Sequence, residues 1–129
     1  MSQTFTRPFR PIELTPTSLE SFPVETLARE LMTEETFQHS GRNALTLTHH
    51  KDFTVVLTVM KANTQLKDHQ ASGPVLLQPL FGRMTVTKSA GSDPLPFQNG
   101  TSIFFGSHLV HNVEAHEDSA FLIIIGGQE

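Results

Sequence analysis

The chain has 129 residues, 37% hydrophobic and 17% charged, with 9 basic against 13 acidic side chains for a formal net charge of −4. That length predicts one domain, the composition excludes a disordered or coiled-coil chain, and a small negative balance without a Lys/Arg cluster argues against nucleic acid and against a membrane surface as partners. With no cysteine, disulfides, Cys-ligated zinc and Cys nucleophiles are excluded.

Along the chain, residues 1–17 carry Pro8, Pro11 and Pro16, each of which forbids a regular helix through it. An extended arm is expected, its Phe5, Phe9 and Ile12 lying against a sheet or a partner subunit. The opening MSQTFTRPFRPIEL has no apolar run of signal-peptide length. The longest apolar run, Phe121–Ile125, is far too short to cross a bilayer, so a soluble cytoplasmic protein is expected. PVETLARELMTEETF, Pro23–Phe37, is the one helix predicted: Val24, Leu27, Ala28, Leu31 and Met32 follow the i, i+3, i+4 rule. Pro23 suits its first turn, and Gly41 can end or follow it.

From residue 43 the hydrophobic period changes to two. NALTLTH, FTVVLTVM, VLLQPLF, RMTVTK, TSIFF, LVHNVEA and AFLIII read as strands separated by Gly-, Pro-, Asn- and Asp-rich turns. FTVVLTVM is apolar on both faces and should be central. Pro79 inside a strand predicts an edge or a bulge. Seven or eight short strands at regular spacing predict an all-β sandwich or barrel. The organisation expected is an arm and helix over 1–42 and a β-barrel over 43–129, together one compact unit.

Seven histidines are present, and three of them, His108, His111 and His116, crowd the segment GSHLVHNVEAH. His69 lies at the end of a strand in LKDHQASGP. A barrel can fold such distant segments together, so His69 and His111 could share one mouth, and a metal site there would need at least three convergent donors. There is no G-x-S-x-G elbow around Ser107 and no phosphate loop at SAGS, residues 89–92.

LKDHQASGPVLLQPLFGRMTV followed by FQNGTSIFFGSHLVHNVEAHEDSAFLIII resembles the two motifs of a small single-domain microbial cupin. The first motif of that family is a His, a second His two residues on, a Glu, and a Gly that ends the strand. Aligned on Gly82, these fall on His69, Ala71 and Val75. The second motif is aligned on Gly100; its His falls on His111, its Pro on Gly106, its Gly on His108 and its Asn on Ala115. The resemblance covers residues 43–126 and implies a double-stranded β-helix, the jelly-roll cupin barrel. It implies ligand binding at His69 and His111, the two usual ligands that survive. His49 or His50, Gln78, or else water or a substrate carboxylate, could complete a metal site around them. Alternation puts His49 on the face of Leu45 and Leu47, whereas Gln78 turns inward only if Pro79 sits at a bulge.

His108 is expected in a turn at positive φ, and His116 in solvent. The function implied is binding of a small organic molecule in the barrel, with one weakly held divalent transition metal (Zn, Ni, Fe or Mn) as the candidate cofactor. The alternative is a metal-dependent dioxygenase or isomerase with a reduced ligand set. A symmetric homodimer to which the N-terminal segment contributes is the expected assembly.

Overall fold

The change of hydrophobic period near residue 43 marks the point where a helical segment gives way to antiparallel strands. The structure, a computed structural model, describes residues 9–88 and 93–127. Helices α1 (Val24–Thr33) and α2 (Glu35–Ser40) precede β1 (Arg42–His49), β2 (Phe53–Met60), β3 (Gln65–His69), β4 (Val75–Phe81), β5 (Arg83–Lys88), β6 (Leu95–Gln98), β7 (Ile103–Phe105), β8 (His111–Ala115) and β9 (Ser119–Gly126). Five strands form one sheet in the order β1-β2-β9-β4-β7, and four form a second in the order β3-β8-β5-β6. This is the expected all-β jelly roll with an outer arm and helices.

The alternation read in the sequence divides the core in two. Met60, Val75, Leu77, Met84, Val113 and Phe121 are among the side chains filling the space between the sheets. Phe97 of β6 meets Phe121 of β9 edge-on across that space, with ring centroids 5.4 Å apart. On its other face the five-stranded sheet presents Leu45, Leu47, Leu57 and Val59 to Leu27, Ala28, Leu31 and Phe37 of the helices. β2 serves both clusters, through Met60 on one and Leu57 and Val59 on the other, which is why its sequence is apolar on both faces.

The single predicted helix is two. Glu34 leaves the helix at φ −77°, ψ 152°, because Asn43 of β1 holds the break: its Nδ2 donates to Leu31 O at 3.0 Å and to Glu34 Oε1 at 2.7 Å. Gly41 ends α2 in the left-handed conformation, φ 78°. Nine strands are described rather than seven or eight. β6, between Pro94 and Asn99, carries Pro96 and is an edge strand, where a missing N–H is tolerated. Pro79 lies next to a register shift between Pro79 and Phe81, beyond Leu77, where pairing with β7 stops. Gly82, at φ 89°, is the corner at which the chain leaves one sheet for the other.

Ile12 of the arm adds to the free edge of β1: its N–H donates to Leu47 O at 2.9 Å, and it accepts from His49 N–H at 3.3 Å. Phe9 packs on the helix-side cluster. Phe5, Pro8 and the 89–92 turn lie outside the described residues. Among the described residues no helix is long and apolar enough to cross a membrane.

Candidate functional site

His69 and His111 are cross-strand partners of β3 and β8. A bulge makes them so. Gln65 pairs with Glu114 and Leu66 with Val113, then the register shifts before His69 meets His111. In a regular ladder Asp68 would stand opposite His111. Asp68 instead adopts φ 52°, with its N–H donating to Asn112 Oδ1. The extra residue turns His69 onto the face of Leu66, the barrel side, as bulges commonly re-aim side chains.

The two histidines line one cavity of about 110 Å³ between the sheets, together with Ala71, Val75, Val113 and Ile123. All four positions aligned with the cupin donors, residues 69, 71, 75 and 111, therefore converge. Two of them carry imidazoles; Ala71 and Val75 carry no donor atom. Two protein donors fall short of the three that a resident transition-metal centre requires, so this set does not fit one. Among the described residues no group of three or more His, Cys, Asp or Glu side chains could hold an ion.

His111 is buried, 8% exposed. Burial pushes its pKa below the ordinary 6.5; a hydrogen bond to the Leu109 carbonyl opposes this, and the nearby His69 adds to it. Its Nδ1 lies 3.2 Å from Leu109 O. A carbonyl only accepts, so Nδ1 carries the proton and Nε2 keeps a lone pair. Phe105 of β7 fixes the ring from the side, centroids 4.3 Å apart at 45°. His111 also forms a wall of a second cavity, about 210 Å³, bounded by Val86, Ile103, Phe105 and Leu109. His69, by contrast, is exposed at the mouth.

The other candidates stand elsewhere. His49 does not join the cavity. The face of Leu45 and Leu47, on which it was expected, packs on the helices rather than the barrel, and His49 itself is exposed at the end of β1 with Nδ1 3.1 Å from Thr54 Oγ1. Gln78 does not join it either: the irregularity at Pro79 comes after it, so it stays on the face opposite Leu77, where its Oε1 accepts from Ser102 Oγ at 2.7 Å. His108 occupies the expected turn at φ 65°, and its N–H donates to Ala71 O at 2.7 Å, tying the β7–β8 connection to the first motif. His116 is not simply solvated. It is half-buried, with Nε2 3.1 Å from Thr85 Oγ1, because its N–H bonds Arg83 O and extends the β5–β8 pairing. The Leu109 carbonyl and Phe105, which set the His111 ring, had no signal of their own in the sequence.

Two antiparallel sheets rolled around an apolar cavity, with a histidine pair at its mouth, define a double-stranded β-helix. No family model and no curated protein matches the sequence. Solved structures do, and they place the chain in the cupin fold. An RmlC-like cupin protein from Desulfovibrio desulfuricans aligns with a TM-score of 0.68 at 19% identity, over 84% of this chain and 97% of that one. A conserved protein of unknown function from Streptococcus pyogenes aligns at 0.66 and 15% identity, over 96% and 99%. A salicylate 1,2-dioxygenase from Pseudoaminobacter salicylatoxidans aligns at 0.68 and 12% identity, over 79% of this chain and 33% of that one.

Proposed function

We propose that the protein binds a small organic molecule in the barrel and has no resident metal centre. One observation carries this reading: the four positions at which a cupin would place metal donors line one cavity, and two of them are Ala71 and Val75. An apolar chamber with a few placed polar groups is what small-molecule sites are made of. The neutral His111, with Nδ1–H committed to Leu109, carries no charge into the cavity and leaves its Nε2 lone pair as an acceptor. A carboxylate would be resisted this deep, since among the described residues no Lys or Arg lines the cavity to offset its desolvation.

A second reading has a specific observation in its favour, the direct opposition of His69 and His111. In it His69 and His111 would hold a divalent ion with help from the small molecule or solvent, and the ion would supply Lewis-acid chemistry, as in a cupin enzyme with a reduced ligand set.

Metal analysis of protein purified without a polyhistidine tag separates the two. Substoichiometric, mixed metals are expected, with no rise in the melting temperature of the metal-stripped protein on adding Zn²⁺ or Ni²⁺. One stoichiometric transition metal would overturn the first reading. So would stabilisation approaching ~2.7 kcal/mol at a free metal concentration ~100-fold above Kd that His69→Ala and His111→Ala each abolish.

A further inference from the structure

We propose that the open seam of the barrel takes a small monocarboxylate with an apolar tail, the carboxylate held at Arg42 and the tail directed into the cavity behind His69. This rests on the small-molecule reading and deepens it by naming the ligand class and its point of entry.

The seam follows from the strand count. The five-stranded sheet is wider than the four-stranded sheet facing it, so the barrel-side faces of β1 and β2 extend past β3, the edge strand opposite. Arg42, Ala44, Val56 and Thr58 lie on those faces and line a groove of about 440 Å³, with Leu66 and His69 of β3 on its far side. Among the described residues no Asp or Glu lines this groove. Arg42 is exposed and has no ion pair among the described residues. A chain of net charge −4 thus presents a guanidinium with no carboxylate paired to it among the described residues, and the planar guanidinium fork is suited to a carboxylate.

The groove and the interior cavity have Leu66, His69 and Ile123 as common walls. Polarity falls across that wall, from Arg42 and Thr58 outside to Val75, Val113 and Phe121 inside. The ligand should follow the same gradient, anionic at one end and apolar at the other. The carboxylate stays in the groove because the interior cannot solvate it. The interior volume of about 110 Å³ limits the tail. An apolar cavity of ~150 Å³ accommodates benzene and a water's share of liquid is ~30 Å³, so about four or five carbons fit.

The test is a titration followed by ¹H–¹⁵N chemical shifts with three probes of one chain length: hexanoate, 1-hexanol and hexylammonium. Hexanoate should bind tightest and hexylammonium weakest, with shifts at Arg42, Ala44, His69 and Val113. Arg42→Gln should weaken hexanoate about tenfold, the lower end for a charge-assisted contact, and leave hexanol unchanged. Arg42 is exposed, so this variant keeps the fold. Ala71→Phe should abolish binding of both, and Ala71→Leu, a milder filling of the same cavity, should weaken both.

Equal affinity for hexanol and hexanoate, or no effect of Arg42→Gln on hexanoate, overturns the carboxylate assignment. If hexanol binding is nevertheless lost in Ala71→Phe, the small-molecule reading stands. No binding of any probe overturns both. Concentration-dependent shifts at Ala44 and Val56 in the ligand-free protein would mean that a second copy covers the seam, and would overturn the proposal.

Discussion

Replacing Gly82 by Ala tests the corner on which the two sheets depend. Gly82 has φ 89°, and a Cβ built there would lie 2.2 Å from Ser119 Oγ and 2.6 Å from Ser119 Cα. Ser119 cannot retreat. It is fully buried at the start of β9, pairs with Met60, and donates its hydroxyl to Glu117 O at 2.7 Å. Gly100 is the natural reference, since it has the same sign of φ, 91°, and nothing within 4 Å of its Cβ position. (Ser89, in the polar loop, would be a second reference but lies outside the described residues.)

Both substitutions pay about 1–2 kcal/mol for an L side chain in the left-handed region. Only Gly82→Ala adds an overlap with a buried backbone, about 1–3 kcal/mol by the usual cost of overpacking. Gly82→Ala should therefore cost roughly 2–5 kcal/mol and Gly100→Ala roughly 1–2. In urea at an m-value of about 1–2 kcal/mol/M, the two midpoints should differ by at least roughly 0.5–1 M. Adding Ser119→Gly should restore part of the loss but not all of it, because the contact with Ser119 Cα remains. Coincident midpoints for Gly82→Ala and Gly100→Ala would refute the reasoning and the motif alignment with it.

Three further outcomes are expected. The pKa of His111 is lowered on folding, so below the unfolded value of 6.5 the unfolded chain binds more protons. Its contribution to stability is full above about pH 7 and is lost as pH falls through 6.5 and toward the folded pKa. Denaturation midpoints of the wild type should fall more steeply between about pH 7 and 5 than those of His111→Gln, and parallel profiles would contradict the assignment. Thr48 Oγ1 is buried with no hydrogen-bond partner among the described residues, so Thr48→Val should be neutral or stabilise by up to about 1–2 kcal/mol; a clear loss in thermal melts would show that the hydroxyl is satisfied. Light scattering at micromolar concentration should show a homodimer, and a clean 14.3 kDa species would rule that assembly out.

The fold was legible because its signals are local. Alternating strands and the turn glycines Gly82 and Gly100 announce themselves in sequence, and both glycines take the positive φ their positions demand. What stayed hidden was set by contacts between distant segments. Nothing in PVETLARELMTEETF shows that Asn43 breaks the helix at Glu34. The prolines flanking and within LPFQ masked β6, since they signal a turn as readily as an edge strand. His49 was read inward because the apolar face of Leu45 and Leu47 was taken as the barrel interior, whereas that face packs on the two helices. His116 was read as solvated from its acidic neighbours, although its partner Thr85 sits on another strand.

The histidine pair shows the same limit from the other side. The motif placed His69 and His111 together correctly, but their opposition rests on a one-residue bulge whose marker, Asp68 at φ 52°, is among the less common backbone states for a non-glycine residue. Without that bulge His69 would be displaced from the position facing His111 and the mouth would offer one imidazole. The chain thus keeps the bulge that brings the two histidines together while carrying Ala71 and Val75 at the remaining donor positions. That combination brings all four positions to one cavity, with imidazoles at two and apolar side chains at the other two. The proposed ligand, which needs an apolar chamber and a histidine rim, suits this geometry better than a resident ion, which needs at least three protein donors.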